Sequence, residues 1–147
     1  MDTEEKIDAL LEKQACIIDI FPETVPQKPD DRYFKIEEYF QNNRESVDRK
    51  FMDIMLKLFC YFDIILVTQE VEKESPQAEQ LIGTLESFFE GETGYVILLF
   101  IECDAMLSVN REDLYMTVYN ADGHLKKLIS ELADSEGLFF YKAKDKN

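Results

Sequence analysis

Histidine is nearly missing from this chain. His124 stands alone, which excludes any site built on two or more imidazoles, the histidine-rich zinc sites included. Glycine is sparse as well. Gly83, Gly91, Gly94, Gly123 and Gly137 form neither G-x-G-x-x-G nor a Walker loop, so no phosphate-cradling turn is encoded. Gly91-Glu92-Thr93-Gly94 carries an acid where a phosphate would need a donor, and reads as a helix stop leading into a strand. Cys16, Cys60 and Cys103 lie far apart with no Cys-x-x-Cys, and each has apolar neighbours; they read as buried, reduced thiols. No apolar run approaches the ~20 residues of a membrane span, the clearest being residues 96–101. Repeats, low-complexity tracts and linkers are also missing. The opening Met1-Asp2-Thr3-Glu4-Glu5 is acidic where a targeting segment would be basic. These absences point to a cytoplasmic chain with no cofactor.

What is present fits one domain over residues 1–147. Apolar residues make up 46% and aromatics 12%, enough for a core despite the charge. Residues 3–19 read as an amphipathic helix, with Ile7, Leu10, Leu11, Cys16 or Ile17, and Ile18 on one side. Pro22, Pro26 and Pro29 mark an extended loop, in which Pro26 and Pro29 have the spacing of a PxxP ligand but read better as a stiff connection. Ile36, Tyr39 and Phe40 suit a short helix over 33–40. Ser46 is placed to cap a longer helix to about residue 62, apolar on much of its circumference. Residues 64–68 fit a strand or the end of that helix. Ser75-Pro76 opens another helix, with Ala78, Leu81, Ile82, Leu85, Phe88 and Phe89 on one face.

The period then changes. Strands are expected near 96–102, 105–109, 114–119 and 138–142, with a helix at 122–135 capped by Asn120 or Asp122 and stopped by Gly137. Residues 142–147 form a basic tail, expected to fray. The class is α+β: a helical N-terminal half packed on a small, mostly antiparallel sheet.

Charge is the most informative feature. The formal net charge is −15, and residues 58–110 hold ten acids against one base, Lys73, a net of −9. A field of that sign repels nucleic-acid backbone and anionic membrane and attracts basic partners. Glu70, Glu72, Glu74, Glu79, Glu86, Glu90 and Glu92 are the candidate partner-binding residues. Lysines that would neutralise them at helical i,i+4 spacing are nearly missing. A non-enzymatic module docking a basic protein is the leading expectation, as an inhibitor or antidote, or by mimicking nucleic-acid phosphate. The enzyme alternative is a carboxylate corner at Glu102 and Asp104, joined by Asp113 or Glu112, doing acid–base work or holding Mg²⁺. Cys103 with His124 is the best nucleophile pair on offer. A homodimeric structural protein is the third expectation.

Overall fold

The computed structural model describes residues 2–26 and 30–144. In chain order the elements are α1 (Thr3–Leu11), β1 (Ala15–Asp19), α2 (Arg32–Asn42), α3 (Glu45–Phe59), β2 (Ile64–Val67), β3 (Glu72–Glu74), α4 (Ala78–Phe89), β4 (Tyr95–Phe100), β5 (Ala105–Asn110), β6 (Tyr115–Tyr119), α5 (Gly123–Ser135) and β7 (Phe139–Lys142). The strands form one sheet in the order β3-β2-β4-β5-β6-β1-β7, with every pair antiparallel. Helices lie on both sides of it, so the class is α+β. Among the described residues no helix is long and apolar enough to cross a membrane.

The strand pleat sends alternate side chains to opposite faces, and here both sets are apolar in the middle of the sheet. Ile64, Leu66, Val96, Leu98, Phe100, Leu107, Val109, Met116, Val118 and Ile18 share one core with Phe51, Ile54 and Leu58 of α3, Leu81 and Leu85 of α4, and Leu125 and Ile129 of α5. The other set, Ile65, Val67, Ile97, Leu99 and Met106, packs against Leu10 and Ile7 of α1. Three helices therefore cover one face, while α1 covers only the β2–β4–β5 half of the other.

Several boundaries differ from the sequence reading. The helix expected over 3–19 ends at Leu11, and residues 15–19 are a strand between β6 and β7. Two β-branched residues in succession, Ile17-Ile18, favour the pleat, and pairing on both sides outweighs the accidental helical spacing. Residues 33–40 are helical, within α2. Ser46 does not cap α3: the helix starts two residues earlier than such a cap implies, with Arg44 at the cap position. Pro76 is not the first residue of α4. Ser75 sits at a φ of 48° with its N–H on the Ile64 carbonyl, and α4 begins two residues later, where Gln77 N donates to Gln80 Oε1 at 2.9 Å. Asp122, not Asn120, caps α5, accepting from Leu125 N at 2.8 Å. Gly91 and Gly137 do stop α4 and α5, at φ of 90° and 74°, a conformation that a side chain disfavours. Lys142 belongs to β7, and Ala143 N extends the pairing onto Ala15 O, so the tail does not fray from 142. The Pro26–Pro29 spacing and the last three residues of the tail lie outside the described residues.

A buried ion pair fixes α3 against the sheet. Arg44, 7% exposed, reaches Asp48 Oδ1 at 3.0 Å and donates to the carbonyls of Arg111 at 2.7 Å and Asp113 at 3.2 Å. Those carbonyls belong to the β5–β6 turn, so one guanidinium joins two segments distant in sequence. Burial pushes the Asp48 carboxyl up, and Arg44 and then Arg111 act against that rise. Removing one partner of such a pair strands the other. Arg44→Met is expected to cost about 3 kcal/mol in urea unfolding, and Arg44→Met with Asp48→Leu to recover at least half of it. A double variant no more stable than the single one would contradict this account.

Candidate functional site

All seven of the candidate glutamates are exposed. The turn between β2 and β3 is built by Thr68, whose Oγ1 accepts from Glu70 N at 3.2 Å and Val71 N at 3.0 Å. The neighbouring Gln69 reaches sideways: its Oε1 accepts from Gly94 N at 2.9 Å and from the Thr93 hydroxyl at 3.2 Å. That bridge ties the turn after α4 to the turn before β3, and so brings Glu92 and Glu70 to one place. Between β3 and α4 runs an open groove of about 630 Å³, lined by Glu70, Glu72, Glu79 and Glu92, with Lys73 the one base. Glu79, Glu86 and Glu90 follow helical spacing along α4, and Glu74 ends the edge strand β3. Four of the seven line the groove and three lie near it; the register sets Glu72 and Glu74 opposite Val67 and Ile65, on the α1 face of the sheet, and Lys73 opposite Leu66, on the α4 face.

The α4 wall of the groove is made by Gln80, Gly83, Thr84 and Ser87. Gly83 is mid-helix, where glycine costs about 1 kcal/mol relative to alanine. A Cβ added there would meet nothing within 4 Å, so packing inside the chain does not require it.

The other expected sites are dispersed. Glu102 and Asp104 are exposed in the β4–β5 turn. Asp113 follows the far end of β5, a strand of six residues or roughly 20 Å, so it does not join them. Among the described residues, no cluster of three or more His, Cys, Asp and Glu could hold a metal ion. Burial pushes the Cys103 thiol up, and Asp122, Glu102 and Asp104 push the same way, so it is not an activated nucleophile. The ring of His124 lies 6.4 Å from that of Phe62. Cys16 is buried, Cys103 half-buried and all three cysteines are free, but Cys60 is exposed at the end of α3, against the expectation of burial.

A second cavity was not foreseen. It lies over β6, β1 and β7 on the face that α1 leaves open, under residues 20–26 and α2, and holds about 420 Å³. The register puts Asp19, Tyr115 and Phe139 opposite one another, and Ile17 opposite Tyr141. Tyr141 donates to Asp19 Oδ2 at 2.5 Å, and Tyr33 donates to Glu37 Oε2 at 3.1 Å. The signal in the sequence was the polar Asp19 and the tyrosines at alternate strand positions, hidden because residues 15–19 read as helix.

The chain matches no family model, no curated protein and no solved structure.

Burial, then the hydrogen bond to Glu37 and the Glu37 charge, push the Tyr33 phenol from 10.0 up to about 12. A raised value in the folded chain means that this proton's contribution to stability is full below the unfolded value and is lost as pH rises through about 12. Phenolate absorbance after a pH jump checks this. Tyr33→Phe is expected to remove a phenol that titrates near pH 12; removal of one that titrates like a free tyrosine would contradict the assignment.

Proposed function

We propose that this chain is a non-enzymatic binding module that docks a basic protein through the acidic groove between β3 and α4. One observation carries the reading. Seven exposed carboxylates crowd the β3 edge of the sheet, on both of its faces, and among the described residues no ion pair engages any of them. Like charges held together with a single base, Lys73, beside them cost stability, and a surface built only for solubility would interleave signs. A cationic partner would relieve that repulsion and would be steered onto the groove by its field.

Gly83 fits the same reading. A glycine that destabilises its helix and fills no internal need leaves room for a partner's backbone or side chain to approach α4 closely. An inhibitor or antidote of a nucleic-acid-binding protein is one job for such a groove, since its carboxylates can occupy a surface that otherwise takes phosphate. The proposal includes a reducing, cytoplasmic setting, which suits three free thiols with one exposed. A homodimer is the second reading. It is favoured by α2, which buries no residue and leaves Phe34 60% and Tyr39 61% exposed.

The test uses a labelled oligolysine as a defined basic probe. Replacing Glu70, Glu72, Glu79 and Glu92 by Gln is expected to weaken its binding at least tenfold and to flatten the salt dependence. A variant with Glu5, Glu12, Glu102 and Glu131 replaced by Gln has the same net charge and is expected to bind nearly as tightly as the parent. Equal losses in the two variants would reduce the groove to bulk charge. Gly83→Ala is expected to stabilise the fold by about 0.5–1 kcal/mol and to weaken binding of a natural basic partner. A destabilised Gly83→Ala would contradict the account of that position. Sedimentation of the parent separates the homodimer reading.

A further inference from the structure

We propose that the cavity over β6, β1 and β7 binds a small organic cation carrying a methylated ammonium group. The site is remote from the acidic groove: β3 and β7 are opposite edges of the sheet. Its walls mix aliphatic and aromatic side chains, with Phe21, Tyr33, Phe40, Tyr115 and Tyr141 among them, and Asp19 and Glu37 are the half-buried charges. Exposed Asp31 and Lys144 lie at its margin, Asp31 within 3.9 Å of Lys35. Its size falls in the ~300–1,000 Å³ range of small-molecule sites.

Charge and hydrogen bonding narrow the ligand. Two half-buried carboxylates with no half-buried cation beside them among the described residues make the interior negative, so an anion is disfavoured and a cation attracted. The aromatic walls add cation–π attraction, which grows as water is excluded. Tyr33 and Tyr141 both donate their hydroxyl protons to carboxylates, which draws charge onto the phenol oxygens and makes the rings better cation hosts. The same bonds take up part of the carboxylates' acceptor capacity. Asp19 Oδ2 is taken by Tyr141 and Asp19 Oδ1 by Phe21 N at 3.3 Å, while Glu37 Oε2 is taken by Tyr33. A primary ammonium or guanidinium would need several acceptors to replace lost water. A quaternary ammonium has no N–H to satisfy and needs only a negative field and carbon surface.

Calorimetric titration of the full chain tests this with three probes: choline, ethanolamine, and the alcohol with a tert-butyl group in place of trimethylammonium. Choline is expected to bind with one-to-one stoichiometry, about tenfold tighter than either of the others. Asp19→Asn and Glu37→Gln keep an acceptor for the tyrosines and remove the charge. Each is expected to lower choline affinity several-fold and to leave that of the uncharged alcohol unchanged. Comparable binding of choline and the alcohol would make the cavity merely apolar and overturn the proposal. Tighter binding of ethanolamine, or no saturable choline binding to the parent chain, would overturn it equally. The comparison of probes on the parent needs no variant, so a variant that fails to fold does not rescue the idea.

Discussion

Strands β2 and β4 are buried on both faces, and the rest of the molecule is arranged to keep them so. Ile64 and Leu66 point into one core, Ile65 and Val67 into the other, and β4 repeats the pattern over its length. A strand without a polar face cannot sit at a solvated surface, so it needs cover above and below. α3, α4 and α5 supply it on one side, and α1 on the other. Once those layers are placed, little choice remains for the edges. β3 is three residues long, charged and exposed, features that discourage edge-to-edge pairing. At the opposite end the second face runs out of helical cover, and α2 with residues 20–26 roofs a cavity instead of a packed core.

Both candidate sites follow from that asymmetry. The acidic groove exists because β3 and α4 are joined by a short connection and lie side by side, with Gln69 drawing the next turn alongside. The aromatic cavity exists because the second face is covered at β2–β4–β5 but not at β6–β1–β7. Polar contacts then hold each end. Gln41 Nε2 donates to the Glu112 carbonyl at 2.9 Å, and Arg44 binds the carbonyls on either side of it, anchoring α2 and α3 to the β5–β6 turn. One end presents carboxylates outside any ion pair to solvent, while at the other the half-buried carboxylates accept from phenols. These are different tasks: the first suits a large cationic surface, the second a small one.

Much of this was legible in the residues. The α+β class, the strands of the C-terminal half, the helix at 122–135 and the stops at Gly91 and Gly137 follow from periodicity and from the one residue type at ease at positive φ. Strand β1 was not legible, because Ile7, Leu10, Ile17 and Ile18 keep a helical spacing across a real break. Only β6 and β7, about a hundred residues further on, decide the matter. Strand β3 was hidden by its own acidity, since Glu72, Lys73 and Glu74 have no apolar face to alternate. The helix starts at residues 45 and 78 misled because Ser46 and Ser75 have the right chemistry in the wrong place: α3 begins ahead of Ser46, and the Ser75 N–H is held by the Ile64 carbonyl. For the sites, charge density picked out the glutamates, but not which four share a groove. The cavity residues come from β1, α2, β6 and β7, a set that no local pattern joins.

The central claim is that the carboxylates between β3 and α4 select a basic partner. The most direct measurement is capture from native lysate on immobilised protein at low salt, eluted with a salt gradient and identified by mass spectrometry, beside the variant lacking the four groove charges. The account predicts one basic protein released at a sharp step and missing from the variant. Diffuse elution of many basic proteins at low salt, the same from both, would contradict it.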